Sequence, residues 1–281
     1  MAFATDYGKY YQNLPVKMQQ PTAPEISDYS VNIKDFGGVG DGLTLNTDAF
    51  AKAVKALDNK GGGHLIVPEG VWLTGLISLK DNIDLHLEKN AILLATPDRT
   101  QHFKVKDGVK DKKPSPLISA SKRKNISITG EGIIDGNGCV WRPVKRSKVS
   151  DVEWKEFLAM GGTEKEGGKL WFPFNLKHQP NLADTPEAQE SLRTHLIRLT
   201  DCDQVLVSGI TIQNSPKFHL IPTRCTNVIV DGVTIRCPWN AQNGDALDIS
   251  CCRNVLLVNN TIDAGVDGIC MKGGAGKKAA P

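Results

Sequence analysis

Cys202-Asp203-Gln204-Val205-Leu206-Val207-Ser208-Gly209-Ile210-Thr211-Ile212 decides the fold, because it comes back twice in the same frame. It returns as Cys225-Thr226-Asn227-Val228-Ile229-Val230-Asp231-Gly232-Val233-Thr234-Ile235, and again as Cys252-Arg253-Asn254-Val255-Leu256-Leu257-Val258-Asn259-Asn260-Thr261-Ile262. An earlier stretch, Asn125-Ile126-Ser127-Ile128-Thr129-Gly130-Glu131-Gly132-Ile133-Ile134-Asp135, fits the same frame. Each unit is a β-branched run, a Gly or Asn break that tolerates a sharp bend, and a second β-branched run. A repeat of about 20 to 30 residues made of short strands is a solenoid signature. No helical period accompanies the units, so leucine-rich and ankyrin arrays do not fit. The fold class expected is all-β, a right-handed parallel β-helix. Equivalent positions of successive coils then stack about 4.8 Å apart. The three aligned cysteines form an internal column, and the Asn or Gln two positions later sits at a turn. An antiparallel sandwich would not require the same residues in the same register.

Working outward, Asp35-Phe36-Gly37-Gly38-Val39-Gly40-Asp41-Gly42 is a glycine-rich turn. Asn46-Thr47 precedes an amphipathic run through Leu57, which Gly61-Gly62-Gly63 ends. Asn or Thr caps such a start. This helix is expected to cover the N-terminal end of the solenoid, since terminal repeats need a polar covering. Residues from about 138 to 192 break the repeat and hold Trp141, Trp154, Trp171, Phe172 and Phe174. They read as an insertion packed on the solenoid's side. The expected organisation is an extension over residues 1–30 and one β-helix domain over 31–281, incomplete at its C-terminus.

The chain has 281 residues, 23% of them charged and 40% hydrophobic, with a net charge of +3. That excludes a disordered chain and a fibrous repeat, and argues against a dedicated nucleic-acid binder. No apolar run approaches the roughly 20 residues of a membrane span. The first residues, Met1 to Tyr7, lack the basic and apolar regions of a signal peptide. Seven cysteines, none spaced CxxC, indicate neither a disulfide framework nor a zinc site; they read as small buried hydrophobes. The glycines at 37–42 do not form a dinucleotide fingerprint, and Gly276-Lys277 lacks the rest of a phosphate loop. The lysine-rich stretch from Lys104 to Lys124 reads as a solvated loop, or as a surface for an acidic polymer.

Asn243-Gly244-Asp245-Ala246-Leu247-Asp248 is followed about one coil later by Gly265-Val266-Asp267-Gly268-Ile269-Cys270-Met271-Lys272. Stacked on a solenoid, Asp245 and Asp267 share a patch. Close carboxylates repel, so such pairs are usually kept for proton transfer or metal binding. Paired carboxylates also cleave glycosidic bonds. The competing reading is a set of polar residues at solvent-facing turns.

Many short matches in order give this chain its resemblance to glycoside hydrolase family 28, the polygalacturonases and rhamnogalacturonan hydrolases. They run from Asp35-Phe36-Gly37 and Asp41-Gly42 through Asn46-Thr47, Gly61-Gly62-Gly63, Val67-Pro68-Glu69-Gly70, Trp72-Leu73-Thr74-Gly75, Leu79-Lys80 and His195-Leu196-Ile197, and end with the two carboxylate segments. The resemblance implies inverting hydrolysis of α-linked galacturonic acid in pectin, with no cofactor and no metal. It implies that Asp245 and Asp267 activate water and that Asp248, Asn243 and Lys272 bind or position substrate. It implies a secreted or periplasmic protein, with a pectic poly- or oligosaccharide as partner and neither nucleic acid nor membrane.

Two departures stand out. The family's acid, which protonates the leaving oxygen, falls on Val266, which has no proton to give. Two outward neighbours on a strand need a bulge or strand end, so Val266 is expected to turn into the core. The family's Gly-His-Gly and Arg-x-Lys motifs, which lie further downstream, are not in these 281 residues. The expected consequence is an uncapped last coil prone to end-to-end association. The functions to separate are therefore a pectin hydrolase, a non-catalytic pectin-binding β-helix and, last, a calcium-dependent pectate lyase. The lyase would need an arginine base that the sequence does not place in register.

Overall fold

The computed structural model describes residues 6–106, 108–111, 113–173 and 192–273. Three parallel sheets wind into a right-handed parallel β-helix. One sheet stacks Ser30–Asn32, Gly63–Val67, Ile83–Leu87, Lys124–Gly130, Asp203–Ser208, Thr226–Asp231 and Arg253–Val258. The second stacks Gly70–Thr74, Ala91–Ala95, Ile133–Asp135, Thr211–Gln213, Thr234–Arg236 and Thr261–Asp263. The third stacks Ile77–Ser78, Ile118–Ser121, Ile197–Thr200, Leu220–Thr223, Leu247–Ser250 and Ile269–Lys272.

The register matches the repeat residue for residue. Val205 pairs with Val228 and Val228 with Val255. Alternate side chains of these runs point inward, so Val205, Val207, Val228, Val230, Ile212 and Ile235 are buried in one continuous core. Cys202 and Cys225 lie in that core, with Cys252 half-buried at its edge and its sulfur 3.4 Å from the Cys225 amide. The expectation of seven buried thiols holds for only part of the set. Cys202, Cys225 and Cys237 are buried, whereas Cys139 is exposed and Cys251, Cys252 and Cys270 are intermediate. Only Cys270 lies in a strand; the others sit in the connections between strands, where the local direction of the corner decides burial, which composition does not report.

Asparagine governs the corner between the third and first sheets. Asn82, Asn125, Gln204, Asn227 and Asn254 all hold positive φ, between 53° and 60°. The asparagine side chains bond from coil to coil, while Gln204 donates to the Ala23 carbonyl. Asn125 donates to Asn82 at 2.7 Å and Asn254 to Asn227 at 2.6 Å, while Asn227 donates to Asp203 at 2.9 Å. Asparagine suits this place because it tolerates the left-handed conformation and carries both a donor and an acceptor.

The expected helix runs over Thr47–Asn59 (α1) and buries Ala49, Phe50, Ala53, Val54 and Leu57 against the first coils. Asn46 stands at its N-cap but makes no capping bond, which corrects the sequence expectation. Its side chain instead accepts from the Val39 amide and donates to the carbonyls of Val39, Thr44 and Leu73. Three backbone oxygens converge there, and a capping pose would take this side-chain donor away from the Val39 and Thr44 carbonyls.

Residues 6–29 cross the outside of the first sheet lengthwise. Tyr7 and Tyr10 meet Asp231 and Asn259, and residues 20–23 meet Asn254, Asn227 and Gln204. The interruption after residue 138 contains a second helix, Asp151–Ala159 (α2), and a small antiparallel sheet of Val144–Lys145, Thr163–Lys165 and Leu170–Phe172. Val144, Val149, Trp154 and Trp171 form their own apolar cluster. Trp141 packs edge-on to His102 at 5.1 Å, and Arg142 bonds Asn214 and the Ser215 carbonyl. Phe174 lies outside the described residues.

Candidate active site

The turn Pro238–Gly244 delivers Asp245 to the start of the strand Leu247–Ser250. Asn243 takes φ 51°, and its side-chain oxygen accepts a 2.8 Å bond from Arg193. Arg193 is buried and also bonds the Gln242 and Pro216 carbonyls. The turn is thus held from beneath by one guanidinium. Burial also brings Gly244 against Cys237, where any Cβ would lie 2.6 Å from the sulfur.

The third sheet pairs Leu247 with Ile269, and the same register carried back two residues sets Asp245 beside Asp267. Backbone bonds from Ala246 to Asp267 at 2.9 Å and from Leu247 to Gly268 at 3.0 Å hold it there. On the preceding coils the same column holds Phe218 and His195. Asp248 pairs directly with Cys270.

Asp245 and Asp248 are 5% and 2% exposed, which is unusual for carboxylates, and one cation answers both. Lys272 Nζ lies 2.6 Å from Asp248 and 3.5 Å from Asp245, and 4.8 Å over the Phe218 ring. Desolvation, then the charges of Asp248 and Asp267, raises Asp245 above the ordinary carboxylate range, against the pull of Lys272. Burial lowers the Lys272 ammonium, but the Asp248 bond and the carboxylate charges outweigh it, and its pKa rises. Asp267 is exposed and accepts from the Cys270 thiol at 3.1 Å. Desolvation and the bonds to Asp267 and Asp248 push that thiol up to about 12, so it stays protonated and donates.

Two histidines that sequence reasoning did not assign a role complete the site. His219 is fully buried; its Nε2 accepts from the Ser215 amide, so Nδ1 carries the hydrogen and donates to the Asp245 carbonyl at 3.0 Å. Burial lowers it to about 4, and it is neutral at pH 7. It holds the Asp245 backbone rather than exchanging protons. His195 is lowered to about 3 by burial and then by Lys217, Arg198, Arg193 and Lys272, which makes it a gauge of a cationic surround. Extending the repeat upstream from Asp245, one coil for His219 and two for His195, would have located both histidines. Arg193 carries no such signal, because it reaches Asn243 through space.

Val266 does not turn into the core. It is 39% exposed, because residues 265–268 form a turn before the strand begins, and no strand alternation applies there. No carboxylate stands at that position. For a cation, Asp245, Asp248 and Cys270 each offer a ligand atom within 4.8 Å of the others. The Lys272 ammonium already supplies positive charge at that spot.

Residues 155–279 match the family described as Glycosyl hydrolases family 28. The chain is 32% identical over 259 residues to a probable polygalacturonase of Vitis vinifera, covering 88% of this chain and 45% of that one. It is 31% identical over 265 residues to an exo-poly-alpha-D-galacturonosidase of Dickeya chrysanthemi, covering 89% and 43%. The crystal structure of a hyperthermoactive exopolygalacturonase from Thermotoga maritima superposes with a TM-score of 0.66 at 30% identity, over 89% of this chain and 56% of that one. The chain therefore spans about half the length of the curated relatives it matches.

Proposed function

We propose, for a chain that belongs to glycoside hydrolase family 28, a pectin-directed glycosidase centred on Asp245 and Asp267. The observation that carries this reading is the stacking of Asp267 one coil from Asp245, on a backbone held by His219 and Arg193. Asp245 and Asp267 activate the attacking water from one side of an α-linked galacturonide. Inverting cleavage needs this water between base and anomeric carbon. Lys272, Lys217 and Arg198 give the site a cationic field that suits a polyuronate. Asn243 has committed its oxygen to Arg193, which leaves its amide nitrogen for a sugar hydroxyl. Asp248 orients Lys272.

Val266 leaves the departing oxygen without an acid, so turnover is expected to be slow. General acid catalysis typically contributes about 10²- to 10⁴-fold. Val266→Asp, at an exposed position, is expected to raise release of reducing ends from polygalacturonate by that order. No release from either protein, with oligogalacturonide still bound, would favour a non-catalytic binding role. Calcium-dependent formation of an unsaturated, ultraviolet-absorbing product would favour a lyase instead.

The segment after residue 138 is anchored through Arg142 to residues 214–215, next to Lys217 and His219. We infer that it walls one side of the groove and favours attack from chain ends. Rapid viscosity loss of the polymer would sink that idea. Among the described residues no helix is long and apolar enough to cross a membrane, and a secreted or periplasmic site of action suits a cell-wall substrate.

A further inference from the structure

Trp239 stands apart from the other described tryptophans. Trp72, Trp141, Trp154 and Trp171 are at most 8% exposed, each inside an apolar cluster or against buried side chains. Trp239 is 57% exposed and lies in the turn that delivers Asp245. That turn is pinned at both flanks. Cys237 packs on Gly244, the Ala241 amide bonds the Pro238 carbonyl at 3.0 Å, and Arg193 holds Gln242 and Asn243. The Trp239 backbone in turn presses on the segment that carries Asp267. At Gly265 a Cβ would sit 2.4 Å from the Trp239 carbonyl oxygen, so only glycine admits this approach. Val266, the next residue, adds an exposed apolar side chain.

An indole so exposed is costly to leave in water, and a rigid seat lowers the entropic cost of binding to it. The C–H face of a pyranose ring is its natural complement: an apolar sugar face lies flat on the ring while the hydroxyls remain hydrated. We propose that Trp239 is a stacking platform for a pyranose unit of the substrate, seated beside Asp267, with Val266 extending its apolar floor. This rests on the polysaccharide reading above and goes further, in assigning a sugar subsite to a residue outside the carboxylate segments. It also gives Val266 a function: an aliphatic floor where an acid would have stood.

The test is calorimetric titration of the whole chain with trigalacturonate, for the parent, Trp239→Ala and Trp239→Phe. Acrylamide quenching of indole fluorescence is followed in parallel. Truncating an aromatic anchor typically costs about tenfold or more in affinity. The expected result is a loss of that size in Trp239→Ala, near-parental binding in Trp239→Phe, and shielding of one accessible indole by the sugar in the parent. Equal affinity of the parent and Trp239→Ala would overturn the proposal. If trigalacturonate does not bind, a neutral oligosaccharide such as galactotriose or xylotriose is titrated. Trp239-dependent binding of that sugar would uphold the platform and reject the polygalacturonate reading. Absence of indole shielding by every sugar would reject the platform itself. Unchanged circular dichroism of the variants checks that folding is intact.

Discussion

At the residue scale, the chemistry turns on how one ammonium is shared between two buried carboxylates. Lys272 lowers the Asp245 pKa, whereas desolvation, Asp248 and Asp267 raise it. In the proposed role Asp245 must be ionised to activate water, so activity is expected to fall as pH drops through its raised pKa. Lys272→Met removes the larger of the lowering contributions. The acid limb of the kcat/KM profile should then move to higher pH, measured in the parent or in Val266→Asp, whichever turns over faster. A limb that stays in place would show that another group sets it. The sign for folding is the reverse of the usual carboxylate case. A raised folded pKa means the ionised Asp245 opposes folding above that pKa, so Asp245→Asn should be at least as resistant to urea as the parent at neutral pH while losing turnover. His219 enters through its backbone bond alone, since a neutral ring with its one hydrogen on Asp245 has no proton to offer substrate.

At the scale of the element, the asparagine corner does two separable things. It supplies a backbone that tolerates positive φ, and it ties neighbouring coils with side-chain amides. Asn227 is bonded on both sides, donating to Asp203 and accepting from Asn254. Asn227→Gly keeps the conformation and loses the bonds, at about 0.5–1.5 kcal/mol each. Asn227→Ala loses both, with about 1 kcal/mol more for the left-handed backbone. Denaturant midpoints should therefore fall in the order parent, Gly, Ala. A Gly variant as unstable as Ala would show that the ladder, not the backbone conformation, carries the effect. The recurrence of Asn at this place was legible in the repeats. Its left-handed backbone was legible only as a bend, and the coil-to-coil bonding not at all. Asn46 shows the same limit: position marks it as a cap, yet converging carbonyls from residues 39, 44 and 73 take its side chain.

At the scale of the whole molecule, each coil meets only its neighbours, so long-range coupling needs something that runs lengthwise. Residues 6–29 do this, touching Asp231 and Asn259 at one end and Gln204 further back. Removing residues 1–24 should lower hydrogen-exchange protection in Thr226–Asp231 and Arg253–Val258 and leave Gly63–Val67 nearly unchanged. Equal loss along the stack would show that the segment supports the fold globally rather than strapping its later coils. The repeat at residues 202, 225 and 252 was enough to determine the β-helix, its register and the stacking of Asp245 near Asp267. That information is local and periodic, and a solenoid propagates it from one coil to the next. The exposure of Val266 and Trp239, the grip of Arg193 on Asn243 and the neutral state of His219 were decided only by tertiary structure. Each depends on which groups converge in space from distant parts of the chain, and on how much water that convergence excludes.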